Sequence, residues 1–244
     1  MSPAEHNPTT IYDYKVLLFD LDGVVTPTAD LHRQAWRELF SEFFARHGAK
    51  PYEEQDYFDY LDGRSRAEGV AALLTSRNIE VPEGSPDDDP SADTIYGMGE
   101  RKNKMFRKLL DMGMVPYPGT LRLLDALKNA ENAPRVAIVS SSKNAHAVLE
   151  AAGLQDRFEL VVDGNVAQEK GLAAKPEPDT YLYAAQQLGV EPREAVVLED
   201  AVSGVASGKK GGFGAVVGVN RGAGSAALLE NGATSTVDDL AELL

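Results

Sequence analysis

The sequence predicts an α/β fold, a Rossmann-like parallel sheet core with an inserted all-helical domain. Short apolar runs rich in β-branched residues recur after residue 113, and helical stretches that mostly end near a glycine separate them. Strands that alternate with helices require right-handed crossovers, which produce a parallel sheet covered on both faces. A long helical region between the first apolar run and the others predicts the inserted domain.

The predicted strands are apolar runs bounded by Gly, Ser or Asp. They lie at 16–19, 135–142, 158–164, 195–200 and 214–219. The segments between the later runs are predicted helices: "GTLRLLDALKNA", "NAHAVLEAAG", "PDTYLYAAQQLG" and "VSGVASGKKGG". The run at 16–19 precedes the helical insert but has the same character, so it is predicted to join the same sheet.

The insert is predicted to form a helical cap domain. Residues 29–47 place apolar side chains at helical spacing, and further helices are expected at 66–77 and 99–112. The acidic, turn-rich stretch before the last of these is interpreted as a solvated loop. The predicted domains are a disordered tail at 1–13, a core formed by 14–28 and 113–244, and a cap formed by 29–112.

Composition restricts the partners. The 244 residues contain 24 Lys and Arg against 38 Asp and Glu, a formal charge of −14. Nucleic acid and anionic membranes prefer basic surfaces, so neither is expected as a partner. The absence of cysteine excludes disulfides and thiolate metal sites. The sequence shows neither a signal peptide nor a membrane span, so we expect a cytoplasmic protein, and we expect it to be a monomer.

Two aspartates directly follow the first predicted strand. Asp20 and Asp22 are separated by one leucine and followed by a glycine. Carboxylates this close repel each other and resist desolvation, so a fold that places them after a buried strand must neutralise them with a cation or a shared proton. This stretch therefore predicts a site.

Further polar groups follow the later strands or precede a helix. Ser140 follows one strand, Glu199 and Asp200 end another, and Lys175 lies in "AAKPEPD". Ligands of open parallel sheets bind beyond the carboxyl ends of the strands. Carboxylates suit Mg²⁺, while serine and lysine suit phosphoryl oxygens. Taken alone, the serine is more typical of a helix cap, the lysine of a loop and the Glu199–Asp200 pair of a turn. Their joint occurrence favours a phosphate site that contains Mg²⁺.

Several stretches of the chain resemble a known set of motifs. "FDLDGVV", "VSSSKN", "AAKPEPDTYLYAAQQLGV" and "VVLEDAVSGV" resemble the four ordered motifs of the haloacid dehalogenase superfamily, in the subgroup with a helical cap after the first strand. Within it, "HRQAW", "GRSR" and "ERKN" are similar to the β-phosphoglucomutase-like branch. The resemblance extends over nearly the whole chain beyond the N-terminal tail.

The resemblance implies roles for the carboxylates. Asp20 would be the nucleophile that forms an aspartyl phosphate, and Asp22 would be the general acid and base. Asp20 and Asp200 would bind Mg²⁺, Glu199 would bind it directly or through one water molecule, and the main-chain carbonyl of Asp22 would be a further ligand.

The resemblance also implies which residues bind the phosphate and the sugar. Ser140 and Lys175 would hold the phosphoryl oxygens. The remaining predicted substrate-binding residues are His32, Trp36, Arg66 and Lys102 in the cap and Ser141, Ser142, Lys143 and Asn144 after the second strand. Ordinary alternatives remain open, because such a histidine is commonly a core residue, such cations commonly lie exposed on helices, and the asparagine could cap its helix.

The function implied by the resemblance is Mg²⁺-dependent interconversion of β-D-glucose 1-phosphate and glucose 6-phosphate, with a small sugar phosphate as partner. If water reaches the aspartyl phosphate, the same site is a sugar-phosphate phosphatase. A phospho-acceptor switch protein is the alternative from another class, but it needs neither the acid at Asp22 nor a cap. A dehalogenase has no use for an acid at Asp22, and a phosphonate-cleaving enzyme would lack that carboxylate, so neither activity is expected.

One position departs from the family pattern. Relatives commonly carry an aspartate five residues after the second one, whereas this chain has Pro27. That aspartate is not a catalytic carboxylate in the scheme above. We therefore expect a changed hinge between core and cap, with activity retained.

Overall fold

The computed structural model describes residues 10–62 and 64–244. The chain forms two compact units: a core, which comprises the chain up to Pro27 together with Val115–Leu244, and a helical unit, Thr28–Met114. Most of the predicted tail lies outside the described residues. Its last part differs from the prediction, because Ile11–Asp13 form a 3-10 turn whose Ile11 side chain is fully buried.

The core contains a parallel sheet, as predicted. Its strands are β1 (Val16–Phe19), β2 (Arg135–Val139), β3 (Leu160–Val162), β4 (Ala195–Glu199), β5 (Ala215–Val219) and β6 (Ser235–Val237). Their order is β3-β2-β1-β4-β5-β6, and every neighbouring pair is parallel. The strand β1 is central and fully buried, which explains its continuous apolar sequence.

The helical unit is built from α1 (Thr28–His47), α2 (Glu54–Asp56), α3 (Arg66–Ser76) and α4 (Ile95–Leu110), with a π-helical turn at Tyr57–Leu61. Aromatic and aliphatic side chains of these elements form one apolar cluster. The helix α4 begins four residues before its predicted start because the Thr94 hydroxyl accepts a hydrogen bond from the Gly97 amide at 2.9 Å and caps it.

The remaining helices belong to the core. They are α5 (Pro118–Asn129), α6 (Ala145–Ala151), α7 (Gly164–Lys170), α8 (Asp179–Gln187), α9 (Val202–Lys210) and α10 (Ser225–Asn231). The sequence pattern did not predict α7, α10 and β6. All three are short, and β6 begins with two polar residues at the edge of the sheet, so none has a clear periodicity.

Within the described part of the chain, no helix is both long and apolar enough to cross a membrane.

Candidate active site

The register of the sheet brings the predicted site residues of the core to one edge. Phe19, the last residue of β1, lies opposite Ile138 of β2 and Leu198 of β4. The residues that follow these three positions therefore emerge side by side, at the carboxyl ends of adjacent strands. In open parallel sheets, loop and helix amides generally point to this edge, which makes it the usual ligand site.

Lys175 lies between two of these carboxylates. Its ammonium group donates to Asp20 Oδ1 and to Glu199 Oε1, both at 2.6 Å, and to the Val139 carbonyl at 3.2 Å. The lysine side chain is 1% exposed. Its three N–H groups are thus satisfied by acceptors from three adjacent strands, which holds the charge at a fixed point.

Glu199 is held by more than the lysine. The Tyr181 hydroxyl donates to Glu199 Oε1 at 3.0 Å, and the Ala201 amide donates to Oε2 at 3.1 Å. A Cβ atom on Gly204 would lie 1.7 Å from Glu199 Oε1, so this carboxylate fits only because residue 204 is glycine. Glu199 is 1% exposed and its position is fixed.

The charged groups of this edge perturb one another. Burial raises the pKa of Asp20 well above its usual range, and the Glu199 and Asp22 carboxylates act in the same direction, against Lys175. Burial opposes the charge of Lys175, but Asp20 and Glu199 outweigh it and raise the pKa of Lys175. Burial, with the Glu199 carboxylate, also raises the pKa of Tyr181. Lys175 is therefore an ammonium group, and Tyr181 is a neutral donor.

Three carboxylates are grouped closely enough to hold a cation. One oxygen each from Asp20, Glu199 and Asp200 lies within 4.8 Å of the others. One ammonium group does not balance three carboxylates, and hard divalent cations prefer carboxylate oxygens. The three carboxylates therefore fit a single divalent metal ion as shared ligands.

Asp22 has a different environment from Asp20. It is half-buried, and the Ser140 hydroxyl donates to Asp22 Oδ2 at 3.4 Å. The Ser140 oxygen in turn accepts from the Ser142 amide at 3.0 Å. Asp22 is not a member of the three-carboxylate group found among the described residues. Two carboxylates separated by one residue thus have distinct partners, which is the usual way to give them different chemical roles.

The segment after β2 is a turn that leads into α6. The Ser142 hydroxyl accepts from the Asn144 amide at 3.1 Å, and Lys143 donates to the Gln168 side chain. Asn144 is buried and occupies the position before α6, but its side chain does not cap the helix. Ser141 is half-buried in the same turn. This segment follows Ser140 directly in the chain and is held in a defined turn.

The helical unit brings three of its predicted site residues together. The Lys102 ammonium group donates to His32 Nδ1 and lies 4.8 Å from the centre of the Trp36 ring. The His32 ring stacks on Phe106 with centroids 4.0 Å apart. Lys102 is 4% exposed, so the alternative of an exposed helix charge does not apply to this residue. Arg66, on α3, pairs with Glu100 of α4.

Sequence reasoning did not single out Tyr181, Gly204 or Arg221. Tyr181 lies in the same motif as Lys175, but a tyrosine on an apolar helix face is usually a core residue, so nothing distinguished it. Gly204 is recognisable only once Glu199 is seen against it. Arg221 contacts the loop after β1 from far along the chain, and no sequence signal indicates that contact.

Comparison with known proteins places the chain in a family. The family model of haloacid dehalogenase-like hydrolases matches residues 14–212. A β-phosphoglucomutase of Mycobacterium bovis is 46% identical over 241 residues, which cover 94% of this chain and 91% of that protein. Fructose-1-phosphate phosphatase YqaB of Escherichia coli is 31% identical over 205 residues, which cover 83% and 95%.

A solved structure shows the same fold. The crystal structure of β-phosphoglucomutase from Clostridium difficile matches with a TM-score of 0.77 and 28% identity, over 95% of this chain and 93% of that chain. The chain belongs to the haloacid dehalogenase-like hydrolases. Within that family it is a β-phosphoglucomutase-like phosphotransferase or hydrolase.

Proposed function

We propose that the chain is a Mg²⁺-dependent β-phosphoglucomutase that works through an aspartyl phosphate on Asp20. The different environments of the two aspartates after β1 carry the proposal. Asp20 belongs to the carboxylate group and accepts from Lys175, whereas Asp22 contacts Ser140. Burial raises the pKa of Asp20, but Lys175 opposes that shift and a cation held by the carboxylate group would oppose it further, which suits a nucleophile that must react as a carboxylate. The environment of Asp22 suits a residue that exchanges protons. The relative named β-phosphoglucomutase supports the choice of reaction.

In the first half of the reaction, phosphorylated Asp20 donates its phosphoryl group to the 6-hydroxyl of β-D-glucose 1-phosphate. The bond between Asp20 and phosphorus breaks while the bond between the sugar oxygen and phosphorus forms. Asp22 takes the hydroxyl proton. The products are the 1,6-bisphosphate and an ionised Asp20, whose negative charge Lys175 stabilises.

In the second half of the reaction, the bisphosphate reorients in the site so that its 1-phosphate faces Asp20. Asp20 attacks that phosphorus, the bond to the sugar O1 breaks, and Asp22 returns its proton to the leaving oxygen. Glucose 6-phosphate leaves and Asp20 is phosphorylated again, so no phosphate is consumed. Ser140 and Lys175 are proposed to hold the phosphoryl oxygens during both transfers.

Asp20, Glu199 and Asp200 are the residues that would hold Mg²⁺, together with the Asp22 main-chain carbonyl. When bound, the ion supplies positive charge that offsets the charge of the transferring phosphoryl group. Glu199 already accepts hydrogen bonds on both oxygens, from Tyr181, Lys175 and Ala201. We therefore propose that Asp20 and Asp200 hold the ion more directly than Glu199 does.

The remaining predicted residues are proposed to bind the sugar phosphate. In the helical unit, Lys102 is a buried cation against His32 and Trp36, an arrangement suited to an anionic or hydroxylated ligand. Arg66 is proposed as a second cationic contact. After β2, we propose that Ser141, Ser142, Lys143 and Asn144 bind the phosphate that is not being transferred.

A sugar-phosphate phosphatase is the second candidate. The relative named fructose-1-phosphate phosphatase favours it. The same residues would serve, with water in place of the sugar hydroxyl as the acceptor and with Asp22 taking the proton from water.

One assay separates the two candidates. The protein is incubated with Mg²⁺, β-D-glucose 1-phosphate and a trace of glucose 1,6-bisphosphate, and glucose 6-phosphate and inorganic phosphate are followed in the same sample. Glucose 6-phosphate in large excess over phosphate is the result expected for the mutase. Phosphate as the main product would replace the mutase with the phosphatase, and absence of both would reject both.

Two variants control this assay. Asp20→Asn keeps the shape of the side chain but removes the nucleophile, so neither product is expected. Asp22→Asn leaves the nucleophile in place and removes the proton exchange, which typically contributes about 10²–10⁴-fold to the rate. Equal activity of Asp22→Asn and wild-type protein would contradict the assigned role of Asp22.

A further inference from the structure

The loop that carries Asp22 is a closed turn. The Leu21 carbonyl accepts hydrogen bonds from the amides of Val25 and Thr26, both at 3.0 Å. The Gly23 amide donates back to the Thr26 carbonyl at 2.8 Å. These local bonds fix the shape of the turn, but they do not fix where the turn lies against the rest of the core.

Contacts from outside the turn fix its position. The Thr120 hydroxyl of α5 donates to the Val24 carbonyl at 3.1 Å. Arg221, which lies just after β5, donates from Nε to the Gly23 carbonyl at 3.2 Å. Arg221 is a charged donor, and hydrogen bonds from charged donors are stronger than neutral ones. The carbonyl that it binds belongs to Gly23, the residue that follows Asp22.

The guanidinium group of Arg221 is itself held on several sides. Nη1 donates to the Asp238 carbonyl at 2.8 Å, and Cζ lies 4.0 Å from the centre of the Tyr117 ring. The Asp239 carboxylate is 3.8 Å from Nη2, and that nitrogen makes no hydrogen bond among the described residues. The position of the group is thus set by two carbonyls and an aromatic face, which a planar fork matches and a lysine does not.

Gly23 is the point at which this contact reaches the site. Its φ is +93°, and a Cβ atom there would lie 1.9 Å from Asp200 Oδ2. The Gly23 backbone is therefore packed directly against Asp200 and covalently joined to Asp22. A shift of the Gly23 backbone would therefore move the backbone of Asp22. It would also change the packing of Gly23 against the Asp200 carboxylate.

We propose that Arg221 is a positioning residue for phosphoryl transfer, which holds the Gly23 peptide and through it sets Asp22 and Asp200. The proposal rests on the proposed function for its effect on turnover. Its effect on the loop is independent of the substrate. Arg221 joins the segment after β5, the C-terminal residues 238–239 and the start of α5 to the turn after β1.

Arg221→Met and Arg221→Lys test the proposal, with Arg135→Met as the matched control. Arg135 also donates to a loop carbonyl, that of Leu188, but it lies at the start of β2, at the opposite end of the strand from the site. If a charged hydrogen bond stabilises the transition state through the groups that it positions, its loss lowers kcat by about tenfold. We expect that loss in Arg221→Met with an unchanged KM for β-D-glucose 1-phosphate, an intermediate loss in Arg221→Lys, and wild-type kcat in Arg135→Met.

Hydrogen–deuterium exchange of the unliganded protein provides a readout that needs no substrate. In Arg221→Met, the amides of Gly23, Val25 and Thr26 are expected to exchange about tenfold faster than in wild-type protein, because the turn loses the one of its outside anchors that comes from a charged donor. Amides of β2 are expected to keep their wild-type rates. Arg135→Met is expected to leave the turn unchanged.

Unchanged exchange in the turn would overturn the proposal, as would faster exchange throughout the core or a kcat loss equal to that of Arg135→Met. A wild-type protein that does not convert the sugar phosphate would reject the proposed function. The exchange data would still decide whether Arg221 holds the loop.

Discussion

Removing the Tyr181 hydroxyl tests whether the buried network around Glu199 is built as described. Tyr181→Phe deletes one oxygen atom and keeps the ring, which lies 4.9 Å from the Lys175 ammonium group. The hydroxyl donates to Glu199 Oε1 at 3.0 Å, and both residues are at most 1% exposed. No solvent can replace the lost donor there.

The magnitude follows from the partners that Glu199 retains. Lys175 and the Ala201 amide still donate to it, so the Glu199 carboxylate loses one hydrogen bond and keeps two. A hydrogen bond to a charged group contributes about 1.5–3 kcal/mol to stability. For a chain of this size, 1 kcal/mol corresponds to a shift in Tm of about 2–4 °C. We therefore expect the core transition of Tyr181→Phe about 3–12 °C below that of the wild type.

Differential scanning calorimetry measures this shift. Tyr183→Phe is the matched control, because Tyr183 lies two residues along the same helix and is half-buried, and we expect its Tm to stay close to the wild-type value. A double-mutant cycle with Glu199→Gln is expected to give a coupling free energy of about 1 kcal/mol or more. A Tm change in Tyr181→Phe no larger than that in the control, or no coupling, would refute the network.

Three further predictions concern other parts of the molecule. Gly23→Ala places a Cβ atom 1.9 Å from Asp200 Oδ2, so calorimetric titration is expected to show an affinity for Mg²⁺ lower by at least about tenfold; wild-type affinity would contradict the proposed ligand set. Asp56→Ala strips the 8%-exposed Arg77 of its carboxylate and should lower the free energy of unfolding of the helical unit by about 3–5 kcal/mol in urea titrations, whereas a loss below 1 kcal/mol would show the pair to be unimportant. Pro27→Asp is expected to leave turnover of the same order, and a rise by orders of magnitude would show that the proline limits the enzyme.

The sheet and the main carboxylates were predictable because their signals are local. Apolar β-branched runs that end in Asp, Ser or Glu predicted β1, β2 and β4 and the edge at which they end. The parallel arrangement brings Asp20 close to Glu199, although 178 residues lie between them in the sequence. Spacing along the chain sufficed because parallel strands end together.

The supporting contacts were not predictable because they depend on packing between distant segments. Tyr181 contacts Glu199 only because α8 packs on the sheet with that ring inward. Arg221 reaches Gly23 from the loop after β5, and an arginine in a polar loop has no signature of such a contact. Lys102 was predicted to bind substrate, but its burial was not predictable, because it arises from packing against His32, Trp36 and Phe106. Its neighbours, which lie on two helices, determine its burial.

Trapping the phosphorylated protein tests the central proposal most directly. Wild-type protein is mixed with glucose 1,6-bisphosphate and Mg²⁺, quenched in acid within the first turnovers, digested and examined by peptide mass spectrometry. One phosphoryl group on the peptide that contains Asp20, located on that aspartate and absent from Asp20→Asn, is the expected result. Product formation without any phosphorylated peptide, or with the phosphoryl group on another residue, would contradict the assignment of Asp20 as the nucleophile.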